Sequence, residues 1–252
     1  TPKFNFIQDL RFSPDSNHIA YKARVKKTEQ TEKWRVIQDG EAEGDKYNKI
    51  FDLVYSNDSR HLAFTAIKDQ KMVMVVDGEE KPARKRYGLP IFSPDSNSIA
   101  YVYKKDEKFR FVINGKESGH TFDNFYKFHF SPDSSRFAYI AKNNQKWHCV
   151  VDGQKGPDFK KVDQFKFSPD SSRYVYGAVS ENKGGTIVKS GSVGDFYKSV
   201  GEAYFSPDSK HLVHRVVDKE TGKWTTMLDN QRFGNDYVSI GKYHFSKNSN
   251  HL

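Results

Sequence analysis

The chain has 252 residues, 36% of them hydrophobic and 15% aromatic, with a formal net charge of +9 and one cysteine. A lone cysteine excludes a disulfide within the chain and leaves the redox compartment open. No apolar run approaches the roughly 18 residues of a membrane-spanning helix, so a soluble chain without a membrane span is expected.

The chain opens with Lys3–Ile7, which reads as the last strand of a sheet because it matches the later segment Lys46–Ile50. A first strand follows at Gln8–Phe12 and runs into Ser13-Pro14-Asp15-Ser16. That aromatic-Ser-Pro-Asp-Ser signature, or a near copy, returns at Tyr55, Phe92, Phe130, Phe167, Phe205 and Phe245, at steps of 37 to 43 residues. A period of this size marks a supersecondary unit that must stack on copies of itself to bury its apolar face.

The fourth copy shows what the unit contains. Asn124–Phe130 and Arg136–Ala141 are rich in aromatic and β-branched residues, and Pro132-Asp133 presets a tight turn between them. After a polar gap at Lys142–Gln145, Trp147–Val151 supplies a third strand closed by Asp152-Gly153, and Lys160–Val162 a fourth. Third strands recur at Trp34–Ile37, Met72–Val76, Phe109–Ile113, Thr186–Lys189 and Trp224–Leu228. The fold class predicted is all-β, a β-propeller of four-stranded antiparallel blades with six complete blades and a partial seventh.

Repeats of aromatic-Ser-Pro-Asp-Ser, followed by Ile-Ala-Tyr and a Val-Val-Asp-Gly strand, resemble the bacterial TolB-like, WD-repeat-like β-propellers. The resemblance spans nearly the whole chain, so residues 1–252 read as one propeller domain, with room for further chain at either end because Thr1-Pro2 lacks a preceding Met. It implies a periplasmic or extracellular location. Near its end the chain restarts the pattern at Tyr237–Ile240 and Lys242–Phe245. Two plans stay open: seven blades, the opening strand and Lys242–Phe245 sharing the last, or six blades with those segments competing for one slot.

The repeated turn acids Asp15, Asp58, Asp95, Asp133, Asp170 and Asp208 follow Pro or Asn and precede Ser, where a carboxylate accepts local backbone N–H groups. They read as structural. His18, His61, His211 and His251 share a repeat position with Ser98, Arg136 and Arg173, which suits a polar strand start better than a metal shell, and no metal site is expected. Cys149 sits where other copies place Val36, Met74 or Phe111 and reads as a buried hydrophobe. Tyr21, Phe64, Tyr101, Tyr139 and Tyr176 form aromatic layers with Trp34, Trp147 and Trp224. No nucleophile elbow, zinc helix, Cys-x-x-Cys pair or phosphate-cradling loop is present, so neither catalytic residues nor a cofactor are assigned.

Variation concentrates three residues before each turn aromatic, on what the propeller plan makes the innermost strand: Asp9, Asp52, Leu89, Lys127, Gln164, Glu202 and Lys242. A framework position would keep one residue type. Asp9, Asp52, Lys127, Gln164, Glu202 and Lys242 are therefore the candidate binding residues at a channel mouth, with a water-filled channel as the plainer reading. The loops Lys26–Glu32, Ser180–Gly185 and Asp218–Gly222 are further positions for partner contacts. The densest basic run, Lys81–Arg86, falls where an outer edge strand should begin, and Lys, Arg and Pro on an edge prevent edge pairing. The expected function is non-catalytic binding of a protein or peptide. The alternatives are a propeller attached to a hydrolase or other enzyme, and weak binding of polysaccharide or nucleic acid through the positive charge.

Overall fold

A computed structural model describes residues 4, 6–27, 32–82, 84–249 and 251, with all their side chains except those of Lys26, Lys27, Asp52, Arg86 and Tyr87. The described residues are all-β, without a helix, and none of their segments is a helix long and apolar enough to cross a membrane. Six antiparallel sheets follow one another along the chain, each with four strands paired in sequence order; in the third, a further short segment, Arg86–Tyr87, pairs beside Ile91–Phe92 on the same second strand. This is the blade plan of a β-propeller. Blades 1–3 lie in one compact unit, Thr1–Phe122, and blades 4–6 in a second, Asp123–Leu252.

In blade 4 the strands are Asn124–Phe130, Phe137–Asn143, Lys146–Val151 and Gln154–Lys155. The expected polar gap is a two-residue turn: Asn144 and Gln145 both have positive φ (48° and 66°). All six turns after the third strand also use two left-handed residues, including the weaker pairs Ser190-Gly191 and Asp229-Asn230. This geometry matches the right-handed twist of a hairpin, and Asn tolerates it nearly as well as Gly.

The assignment of the fourth strands is corrected. Lys160–Val162 is not the edge of blade 4, because the first strand of blade 5 begins at Lys161, with Lys161 opposite Val179 and Val162 opposite Ala178. The edge of blade 4 is Gln154–Lys155, prolonged by a bridge from Phe159 to Trp147. Lys46–Ile50 is likewise divided, since Glu41–Tyr47 ends blade 1 and Lys49–Tyr55 opens blade 2. At the N-terminus, the Arg24 N–H donates to the Phe6 carbonyl and Ile7 stands opposite Ala23, so Phe6 and Ile7 extend the first strand of blade 1. The pattern misleads because a bulge splits each long first strand into two runs that look like separate strands. Lys3 and Asn5 lie outside the described residues, as do Thr28–Thr31 of the first loop.

Fourth strands come in two forms. In blades 1, 3 and 6 they are seven residues long, Glu41–Tyr47, Lys116–Phe122 and Gln231–Tyr237, each kinked by a positive-φ glycine (Gly44, Gly119, Gly234) at a register shift. In blades 2, 4 and 5 they are two residues long plus a single bridge. Arg84 makes that bridge to Met72 in blade 2, which puts Lys81 and Arg84 on that sheet's outer edge, whereas Lys85 pairs with Glu107 and the backbone of Arg86 stands opposite Lys104 in blade 3, so the basic run is divided between two blades.

The core consists of layers between successive blades. In the first unit, Trp34, Val36 and Tyr47 of blade 1 pack with Phe64 and Val73 of blade 2. In the second, Ile140 and Cys149 of blade 4 meet Val162, Phe165 and Tyr176 of blade 5. Cys149 is 1% exposed and burial pushes its thiol pKa up, as a buried hydrophobe requires.

Candidate functional site

The repeated polar residues are occupied within the framework. In each turn the Ser hydroxyl donates to the Asp carboxylate, as Ser131 Oγ does to Asp133 Oδ1 at 2.6 Å, and accepts the N–H five residues on, here Arg136 at 2.9 Å. The Ser131 hydroxyl, with the N–H and hydroxyl of Ser135, holds the Asp133 carboxyl down at about 2. The last Ser of four of these turns then links successive blades within each unit. Ser59 accepts the Asp15 N–H (3.0 Å), Ser96 that of Asp58 (2.9 Å), Ser171 that of Asp133 (3.1 Å) and Ser209 that of Asp170 (2.9 Å).

A seventh turn closes the series. Ser249 accepts the Asp208 N–H at 3.0 Å, and Ser246 donates to Asn248. Lys242–Phe245 before it forms no sheet pairing among the described residues. The seventh copy is present as a docked turn.

The histidine position has a definite role. His18, His61 and His211 place Nδ1 2.7, 2.7 and 2.6 Å from Asp39, Asp77 and Asp229, the acids of the turn after the third strand. The other oxygen of each acid accepts the following N–H, Ile19, Leu62 and Leu212. Arg136 replaces His against Asp152 in blade 4. In blade 3 both partners change together, Asn114 donating to Ser98. The clasp is a side-chain tie across one sheet, and among the described residues no group of three or more His, Cys, Asp or Glu could hold a metal.

The candidate binding residues lie at a structural irregularity. In blades 1, 2, 4, 5 and 6 the first strand shifts register against the second, between Gln8 and Arg11, Ile50 and Leu53, Phe125 and Lys127, Asp163 and Lys166, and Val200 and Ala203. Asp9 and Gln164 take positive φ there (53° and 59°). A bulge of this kind bends the strand and re-aims its side chains. Blade 3 has instead a break at Leu89-Pro90 between two short segments, because Pro90 has no N–H for the ladder.

Two polar clusters are built on these bulges, one in each unit. In blade 1, Asp9 Oδ2 is 2.5 Å from Lys22 Nζ; the Lys22 side chain is 5% exposed and that of Asp9 49%. In the second unit, Glu202 Oε1 accepts from Lys166 Nζ at 2.7 Å and Oε2 from the Tyr204 hydroxyl at 2.6 Å, which holds its carboxyl below the usual range with a smaller contribution from Lys242. Lys166 also caps the Ala203 carbonyl at 3.0 Å and lies 3.9 Å over the Tyr204 ring. Arg215 lies across Gly201, where a Cβ would sit 2.4 Å from its side chain, and donates to the Ile240 and Gly241 carbonyls.

Lys127 and Gln164 are exposed: Lys127 Nζ stands 5.9 Å over the Tyr126 ring, and Gln164 faces Gly177. Lys242 is exposed too, and of the candidates it is brought near Glu202. The Asp52 backbone lies in Lys49–Tyr55, and its side chain is outside the described part. Sequence reasoning missed Lys22, Lys166 and Arg215. A signal existed for two of them: Lys22 and Arg215 occupy the second-strand slot held elsewhere by Thr65, Val102, Ile140 and Gly177.

No family model and no curated protein matches the sequence. Solved structures do match in fold. A crystal structure of the eukaryotic initiation factor is 14% identical with a TM-score of 0.50, the match covering 98% of this chain and 71% of that one. The β-propeller domain of the Trilobed protease from Pyrococcus furiosus is 16% identical (TM-score 0.45), with 92% and 84% covered. TolB from Acinetobacter baumannii is 13% identical (TM-score 0.40), with 89% and 61% covered. At such identities the likeness is one of fold alone.

Proposed function

We propose that this chain is a non-catalytic binding propeller that recognises a protein or peptide through the bulged first strands. The observation that carries the reading is the contrast between repeated and varied polar groups. Every turn Ser and Asp described above is engaged by the framework, whereas the corresponding first-strand positions vary between blades and present exposed or half-exposed groups such as Asp9, Lys127, Gln164 and Glu202. Chemically diverse groups on a rigid scaffold suit recognition of an asymmetric chain.

The test is a random-peptide display selection against the purified protein, followed by binding of the selected peptide to two variants. Reversing Lys127 and Glu202 together should abolish binding, and neutralising Arg84, Lys85 and Arg86 should leave it intact. The opposite pattern transfers the function to the basic edge and a polyanionic partner, which a steep dependence on salt would confirm. Failure to select any peptide whose binding responds to the Lys127 and Glu202 reversal overturns the proposal.

A further inference from the structure

The fifth and sixth repeats each depart from the others at one framework position, and the two positions face the same space. The second-strand slot filled by Tyr21, Phe64, Tyr101, Tyr139 and Tyr176 holds His214 in blade 6. The slot ending the third strand, Val76, Ile113, Val151 and Leu228 in four other copies and Gln38 in one, holds Lys189 in blade 5. His214 and Lys189 line one cleft between blades 5 and 6, with Ile187, Val193, Met227 and Asn230.

The corresponding cleft between blades 4 and 5 shows what the substitutions do. It is lined by the matching residues Cys149, Val151 and Tyr176, and measures about 220 Å³. There the Tyr176 hydroxyl rises under Gly156, 3.1 Å from where a Cβ would stand. Below the equivalent Gly194 there is no such group, since the shorter His214 ring leaves the space open, and the cleft grows to about 490 Å³. That volume falls within the roughly 300–1,000 Å³ of small-ligand sites.

The chemistry inside is specific. His214 is 3% exposed; its Nδ1 is closed off from solvent with no hydrogen-bond partner among the described residues, and the rest of the ring edge meets the cleft. Burial, with a smaller effect of the Lys189 charge, lowers its pKa to about 3, so at neutral pH the ring is an uncharged donor or acceptor. The Lys189 ammonium, half-buried, donates to Asn230 Oδ1 and keeps further protons to give. Asp195 stands exposed at the rim. The Asp229 and Asp195 carboxylates also act on the Lys189 ammonium; its remaining protons and the neutral imidazole offer hydrogen bonds to a two-oxygen carboxylate, and Ile187, Val193 and Met227 match an aliphatic body behind it.

We propose that the cleft between blades 5 and 6 binds a carboxylate carried on a short aliphatic body, with Lys189 as counter-ion and the His214 ring as hydrogen-bond donor. The site is independent of the bulged first strands. Two sources carry this chemistry, the C-terminus of a peptide ending in an aliphatic residue and a free branched-chain carboxylic acid.

Calorimetric titration with N-acetyl-Gly-Leu, its C-terminal amide and 4-methylpentanoate tests the assignment and separates the sources. At least one of the two acids should bind saturably, the stronger identifying the source, and the amide should bind more than about tenfold more weakly than the peptide acid if the peptide is that source. Lys189→Met and His214→Tyr each bring the cleft closer to its counterparts, so both variants should melt at or above the temperature of the unaltered protein while losing more than about tenfold in affinity. Loss of binding in a variant of undiminished stability cannot be ascribed to misfolding. The proposal is overturned if neither acid binds up to about 10 mM, if the amide binds and does so as tightly as the peptide acid, or if the two variants bind as the unaltered protein does.

Discussion

Removing the Ser131 hydroxyl should cost more than its size suggests. Ser131 is fully buried; its Oγ accepts the Arg136 N–H at 2.9 Å and donates to Asp133 Oδ1 at 2.6 Å. In Ser131→Ala the Arg136 N–H loses its acceptor at a part-buried site, an omission that costs about 1–3 kcal/mol. The Asp133 carboxylate is in contact with solvent, so water replaces much of what it loses. About 2 kcal/mol of destabilisation is therefore expected. Two neighbours calibrate the figure. Ser171→Ala deletes a single bond across the interface of blades 4 and 5, the 3.1 Å contact with the Asp133 N–H, and should cost about 1 kcal/mol. Ser135→Ala deletes exposed contacts to the same carboxylate and should stay within about 0.5 kcal/mol. Urea unfolding measures all three, provided the slope is unchanged, and amide exchange at Arg136 reports the orphaned donor directly. If Ser131→Ala costs no more than Ser135→Ala, the buried turn hydroxyl is not what secures the hairpin.

Three further outcomes are expected. Lys22→Met should be neutral or stabilising, because it removes a buried ammonium, whereas Asp9→Ala should destabilise by about 1–2 kcal/mol by leaving that ammonium without its carboxylate, discounted for the exposure of Asp9; thermal unfolding of both variants decides. Acid should weaken the fold through the turn carboxylates: Asp133 and Asp170 are held at about 2, below the ordinary 3.8, so their contribution is complete above pH 4 and is lost as pH falls through 2, which an acid titration of circular dichroism would follow. Transplanting the His–Asp clasp into blade 3 by Ser98→His with Asn114→Asp should be better tolerated than either change alone, and a double-mutant cycle showing no coupling would mean that the clasp contributes nothing.

The repeat alone determines the local units of this protein. Pro and Asp in each turn, Asp-Gly or Asn-Gly after each third strand, and aromatic or β-branched residues between them act over a few residues, so third strands such as Trp224–Leu228 are legible from composition. The candidate site is legible only in part. Divergence among copies singles out Asp9, Lys127, Gln164 and Glu202 as candidates, but Lys22 and Lys166, the partners of Asp9 and Glu202, come from another strand or another blade. The fourth strands were misread because hydrogen-bond register decides where one blade ends, and a bulge in each long first strand hides that register from periodicity. The cleft of His214 and Lys189 depends still more on tertiary structure. Each is a single departure from its own repeat, 25 residues apart, and only the stacking of blade 5 on blade 6 sets the shortened ring beside the ammonium and opens the space between them.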